Sequence, residues 1–280
     1  MFKFKNVAES YQNIIIDILG KPDYVTSPRN QKIYEKINYT FSIENVLENL
    51  VINEVRNTPF KYLANELILY FSGEHRLKKY SNASKFWTTL YPENYEGPVN
   101  SAYGNLIFNG MEELEWSTQW DWAVKSLLKD KDSRQAIIHF NNPNHQHVPY
   151  NDFVCTLTGQ FLIRDNKINL IINMRSQDLY FGYIFDVVFF TMLMQCMRFE
   201  LLDKYPELEL GTYYHNVGSI HIYERNKEIF EKMLSAGIFK SASLPILTKS
   251  IIKCPEIMYL NNETIFSTDD AFFNWLICNK

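Results

Sequence analysis

The chain reads as an α+β protein, a single domain over residues 1–280, and three observations lead there. At 280 residues, with 46% hydrophobic and 15% aromatic content, it is long enough to bury a sizeable core. Helical periodicity and strand alternation succeed one another along its length, and no linker separates them. One long apolar run, Tyr183 to Leu202, is interrupted by Asp186, Gln195, Arg198 and Glu200, which favours a buried core helix over a membrane span.

The elements follow in order. Val7, Tyr11, Ile14, Ile15 and Ile18 share a helical face over residues 7–19, and Gly20 with Pro22 ends the pattern. After a Pro/Arg/Asn turn at residues 28–30, the alternation in 37–43 predicts a strand. A second helix opens at Pro59, carries Glu66 and closes at Gly73. Residues 74–117, rich in Asn, Ser, Glu and Tyr, read as mostly irregular, with Trp87 and the tetrad Ser101-Ala102-Tyr103-Gly104 among them. A helix over 119–128 leads to a short strand at 135–140, with Arg134 at its entrance. Strands over 154–163 and 167–173 are joined by a tight Asp165-Asn166 turn. After the core helix come a strand over 212–223 and a helix over 225–234. From 236 onward loops are expected, with one short strand near 245–247 and an aromatic close at 272–276.

Charge and cysteines narrow the function. The 28 basic and 32 acidic residues include no basic run, so there is no electrostatic footprint for polymeric nucleic acid, though a free mononucleotide fits. Cys155, Cys196, Cys254 and Cys278 are widely spaced, which suggests neither a zinc site nor a disulfide framework. No metal is expected. The polar N-terminus does not read as a secretory signal, and the compartment expected is a reducing cytoplasm, or the host's for a virally encoded chain.

The densest chemistry lies between Cys155 and Asp186. Taken alone, a cysteine in a strand-like run is a small buried hydrophobe, an isolated Arg-Ser is a solvated turn, and a strand histidine is structural. Here Cys155 is followed by Gln160-Phe161, then Arg175-Ser176, Asp178, Gly182 and Asp186, and later by His215-Asn-Val-Gly-Ser-Ile-His221-Ile-Tyr223. These spacings resemble the thymidylate synthase family. Residues 130–226 lie on it with little gapping and residues 60–110 more thinly. The words around the cysteine look closest to its deoxycytidylate hydroxymethylase branch.

The resemblance implies a mixed β-sheet with a long buried core helix and a homodimer packed through the sheet. It implies 5,10-methylenetetrahydrofolate as co-substrate and a pyrimidine nucleoside monophosphate as substrate. Cys155 falls on the nucleophile that adds to C6 of the ring and makes C5 reactive, a covalent strategy that splits one hard step into two. A free thiol titrates at about 8.5, so the thiolate needs nearby positive charge, for which Arg175 is expected. Arg29, Arg175 and Ser176 fall on phosphate ligands, and Arg134 on the arginine lent across the dimer. His221 and Tyr223, on one face of a strand, fall on the sugar-binding pair. Asp178 contributes to both ligands. Glu66 and Tyr103 match the groups that organise water and proton transfers. Trp87, Asp178, Gly182 and Phe185 fall where the family holds folate.

Asp186 carries the specificity argument. Most members have asparagine there, suited to the O4 and N3–H of uracil, whereas a carboxyl suits the N4 amino group and N3 of cytosine. Dipole stabilisation at a helix N-terminus is the bland reading of the same residue. Cytidylate hydroxymethylation is the expectation, with methylation of dUMP or UMP and an inactive nucleotide- or RNA-binding member as alternatives. Several positions depart from the family. Gln135 replaces a second arginine, which should weaken phosphate binding by about 1.5–3 kcal/mol unless another group replaces it. Val154, Thr156 and Ser219 also differ from common residues, and the closing tail has no clear counterpart in residues 272–280.

Overall fold

A computed structural model describes residues 1–110, 118–147 and 151–280. Its strands and helices are β1 (Phe2–Phe4), α1 (Val7–Gly20), β2 (Tyr24–Thr26), β3 (Ile33–Ile43), β4 (Leu50–Ile52), α2 (Phe60–Ser72), α3 (Leu77–Ala83), α4 (Tyr103–Phe108) and α5 (Gln119–Lys129). They continue as β5 (Ile137–His139), β6 (Thr156–Arg164), β7 (Lys167–Asp178), α6 (Tyr183–Leu201), β8 (Glu209–Tyr223), α7 (Glu224–Ala236), β9 (Lys240–Ala242), α8 (Pro255–Asn261) and α9 (Ala271–Asn279). The α+β expectation holds. A mixed sheet runs β1-β3-β8-β7-β6-β5 with β2 added to β3, and β4 pairs with β9 separately.

Helix α6 is the centre of the core. Apart from its last turn it is buried on every side, and it lies on β7 and β8 with α5 and β4 against it. Phe189 and Phe190 meet Tyr70, Tyr103 and Phe140 there. Strands β6 and β7 form the expected hairpin. Asp165 and Asn166 both take positive φ (49° and 59°), the left-handed pair that a two-residue turn needs. Alternate residues of β7 and β8, such as Ile172, Met174, Tyr213 and Val217, face the core. The opposite face stays half-exposed and carries a ladder in which Asn216 donates to Asn173 and Asn173 to Thr158, both at 3.0 Å.

Several boundaries differ from the sequence expectation. The stretch expected to be irregular contains α3, a 3-10 segment at Lys85–Leu90 and α4, while 111–117 lie outside the described residues. Helix α4 approaches α2 so closely that a Cβ on Gly104 would sit 1.7 Å from the Tyr70 carbonyl oxygen. No strand forms at 245–247; the short strand is β9, paired with β4. The C-terminal region folds into α8 and α9 rather than loops. Asp270 caps α9 through Phe272 N and Phe273 N, and Phe272, Phe273 and Leu276 are buried. These are short helices whose burial comes from docking on α2, a tertiary contact that local periodicity does not report.

Candidate active site

The parallel pairing of β7 with β8 brings the motifs together. Ser176 lies opposite Ser219 and Asp178 opposite His221, so the Arg175–Asp178 segment sits beside Ser219–Tyr223 at one end of the sheet. Three adjoining cavities of 250, 520 and 700 Å³ open there, and all three share Arg29, Asn151 and Tyr223. The 250 Å³ cavity is lined by Cys155, Glu66, Tyr103, Asp186, Arg175, Ser176, Asp178, His221, Trp87 and Gly182, which gathers most of the expected site. Two expected residues lie elsewhere. Phe185 is buried with its ring edge against Tyr62, 4.9 Å away, and does not line the cavities. Arg134 is exposed and lines a separate cavity with Lys125 and Lys129.

Cys155 immediately precedes β6 rather than lying within it. Between Thr156 and Thr158 the pairing with β7 slips by one residue, a bulge of the kind that re-aims side chains beside active sites. The Arg175 guanidinium reaches the sulfur at 3.6 Å while Nε donates to Val154 O at 3.0 Å and Nη2 to Phe153 O at 2.6 Å. It also lies over the Phe153 ring. The cation is therefore fixed beside the sulfur without a substrate to bring it there. Burial nonetheless pushes the thiol up to about 11; Arg175 and Arg29 pull it down, and Asp186 and Asp152 push it further up.

Asp186 stands in the first turn of α6. Burial raises its carboxyl to about 7, opposed by a 2.8 Å hydrogen bond from Gln177 Nε2 to Oδ2 and reinforced by the Asp178 charge. Gly182 is what leaves room for this pair. A Cβ there would lie 2.7 Å from Gln177 Nε2 and 3.3 Å from Asp186 Oδ2.

Glu66, on α2, accepts from Tyr62 OH at 2.7 Å and Tyr70 OH at 3.4 Å. Burial pushes it up to about 8, with Asp186 adding to the rise and the two tyrosines opposing it. Thr156 Oγ1 donates to Tyr103 OH at 2.8 Å, and Tyr103 stacks on Tyr70. Glu66, Tyr70 and Tyr103 thus line the cavity wall, with Thr156 bonded to Tyr103 behind it. On the far side, burial raises Asp178 and lowers His221, each opposed by the other's charge.

Arg29 lies in a 3-10 turn, Pro28–Asn30, where both Arg29 (φ 52°) and Asn30 (φ 60°) are left-handed. With Arg175 and Ser176 it lines the 520 Å³ cavity, which also holds Glu35, whose carboxylate accepts from Ser219 Oγ. Sequence reasoning overlooked Gln177, Asp152 and the exposed rings of Phe86 and Phe181, 59% and 57% accessible. Asp152 is buried and accepts from Ser101 N at 2.9 Å and from Tyr91 OH, tying the loop before Cys155 to the segment that leads into α4. Gln177 lies between two flagged positions, Ser176 and Asp178, and its place there was a usable signal. All four cysteines are free, no group of three or more His, Cys, Asp or Glu among the described residues could hold a metal ion, and no described helix is long and apolar enough to cross a membrane.

A sulfur under a guanidinium, facing a carboxyl that titrates near neutrality and a buried glutamate, equips an enzyme for covalent catalysis on a small polar ring. The thymidylate synthase family model matches residues 9–262, and the chain belongs to that family, one-carbon transferases that modify C5 of pyrimidine nucleotides with methylenetetrahydrofolate as co-substrate. Among its relatives, the deoxycytidylate 5-hydroxymethyltransferase of Enterobacteria phage T4 is 30% identical over 78% of this chain and 87% of that protein. The thymidylate synthase of Mycoplasma mobile is 28% identical over 63% of this chain and 57% of its own length. The deoxyuridylate hydroxymethyltransferase of Bacillus phage SP01 is 23% identical over 79% and 58%. The fold matches that of thermostable thymidylate synthase A from Bacillus subtilis with a TM-score of 0.67 and 19% identity, covering 89% of this chain and 91% of that one.

Proposed function

We propose that this chain hydroxymethylates C5 of a cytidine monophosphate, dCMP or CMP. The observation that carries the reading is Asp186, a carboxyl raised to about 7 in the same cavity as the Cys155 sulfur. Held near neutrality it can donate its proton to cytosine N3 and accept from the N4 amino group. The Cys155 thiol loses its proton to water in the cavity beside the Arg175 charge; as the sulfur bonds to C6, the ring electrons move toward N3, and the proton from Asp186 neutralises the charge that develops there. C5 is left as an enamine carbon nucleophile.

The co-substrate supplies the one-carbon unit when bound. The exposed rings of Phe86 and Phe181 and the buried face of Trp87 border the nucleotide cavity, a setting that suits a planar heteroaromatic ring. Glu66, with Tyr70 and Tyr103 beside it, holds water and moves the C5 proton, a role supported by its hydrogen bond from Tyr70 and its burial in the same cavity. Arg29, Arg175 and Ser176 hold the phosphate, and His221 with Tyr223 the sugar. Within a homodimer packed on the half-exposed sheet face, Arg134 serves the other subunit's phosphate site, which accounts for its distance from Cys155 in one chain.

The relatives named thymidylate synthase and deoxyuridylate hydroxymethyltransferase favour a second reading, modification of uridylate. Purified protein with methylenetetrahydrofolate and each of dCMP, CMP, dUMP and UMP separates the two by product mass. The expected result is a cytidylate heavier by one formaldehyde unit; uridylate gaining a methylene or a formaldehyde unit, with cytidylate unchanged, refutes the reading.

A further inference from the structure

Gln177 is 2% exposed, yet it lines the cavity that holds Cys155 and Asp186. Its Nε2 donates to Asp186 Oδ2 at 2.8 Å. Its Oε1 is buried and has no hydrogen-bond partner. Asp186 Oδ2 accepts this bond whether the carboxyl is ionised or carries its proton on the other oxygen, so the amide is held with nitrogen toward Asp186 and oxygen away from it. A buried carbonyl oxygen left without a donor is costly, and a ligand that supplies the donor removes that cost. The glycine at 182 leaves space for the amide and the carboxyl to lie side by side.

We propose that Gln177 is a specificity-determining residue that reads the exocyclic amino group of the base together with Asp186. The inference rests on the cytidylate reading above and deepens it. An amino group at C4 carries two N–H bonds. One can be given to the Asp186 carboxyl, and the second to Gln177 Oε1. Uracil presents O4 instead, which has no hydrogen to give and sets a lone pair against the Gln177 oxygen. The pair thus recognises an amino group by both of its hydrogens, where a carboxyl alone reads one.

The test is the Gln177→Met variant, near in volume but without the amide. Steady-state turnover and calorimetric affinity are measured for cytidylate and uridylate in wild type and variant. The expected result is that kcat/KM for cytidylate relative to uridylate falls about tenfold or more, the scale of one buried hydrogen bond, mainly through weaker cytidylate binding. An equal loss for both nucleotides, or an unchanged ratio, overturns the proposal, since a structural role lowers both together. Gln177→Asn, too short to reach, serves if the methionine variant does not fold and is expected to behave alike. A wild type that prefers uridylate defeats the cytidylate reading itself; a wild type that prefers cytidylate, with a variant that keeps the preference, defeats the role of Gln177 alone.

Discussion

Replacing Asp186 by asparagine should remove the preference for cytosine without removing the site. In the wild type, uracil meets two mismatched groups: the Asp186 carboxyl, whose Oδ2 is held as an acceptor by Gln177 and whose proton points where uracil carries N3–H, and the Gln177 carbonyl oxygen, an acceptor where O4 would lie. Leaving a buried polar group unpaired costs about 1–3 kcal/mol, so two cost roughly 2–6 kcal/mol, a discrimination of about 30-fold to 10⁴-fold. An asparagine carries one donor and one acceptor, and its amide can turn over together with that of Gln177. The variant then pairs with N3–H and O4 of uracil at no charge penalty. The assay is release of tritium from C5-labelled cytidylate and uridylate, compared as kcat/KM ratios. The account predicts that Asp186→Asn brings the ratio to within an order of magnitude of unity, chiefly by gain on uridylate. A variant that loses cytidylate turnover while uridylate stays inert would refute the reasoning, because Asp186 would then act on something other than base choice.

Two further outcomes follow from the same geometry. Cys155→Ala should abolish turnover while nucleotide affinity, measured by calorimetry, stays within about threefold, since Arg175 keeps its two anchors on Val154 O and Phe153 O without the sulfur; retained turnover would exclude the covalent route. Glu66→Gln should lower turnover and yet stabilise the fold at high pH. Burial raises the Glu66 carboxyl to about 8, so its cost is absent below the unfolded value near 4, grows as pH rises and is complete above about 8. The variant's stability advantage, by denaturant unfolding, should therefore increase from pH 5 to pH 9 by roughly 3–6 kcal/mol, and a pH-independent difference would contradict the burial argument.

The fold was legible where the pattern was local. The apolar run of α6, the hairpin at Asp165-Asn166 and the caps of α2 at Pro59 and Gly73 follow from periodicity and turn chemistry alone. Helices α3, α4, α8 and α9 were missed because each is nine residues or fewer and gains its stability from docking. The site was legible as a motif and not as a geometry. Spacing pointed to Cys155, Arg175 and Asp186, but the bulge at the start of β6, the Arg175 guanidinium held beside the sulfur by two carbonyl oxygens, and the Gln177–Asp186 pair depend on strand register. Phe185 shows the limit in the other direction. Its neighbour Asp186 faces the cavity while the Phe185 ring packs on Tyr62, because successive residues of a helix point about a quarter-turn apart.

The account stands on one contact pair, sulfur to C6 and carboxyl to the amino edge. A crystal structure of the protein with dCMP measures both distances at once. The expected result is Cys155 Sγ facing C6 at bonding or near-bonding distance, with Asp186 within hydrogen-bond reach of N3 and N4. A sulfur turned away from the ring, or a base whose N3–N4 edge lies beyond reach of Asp186, would contradict it.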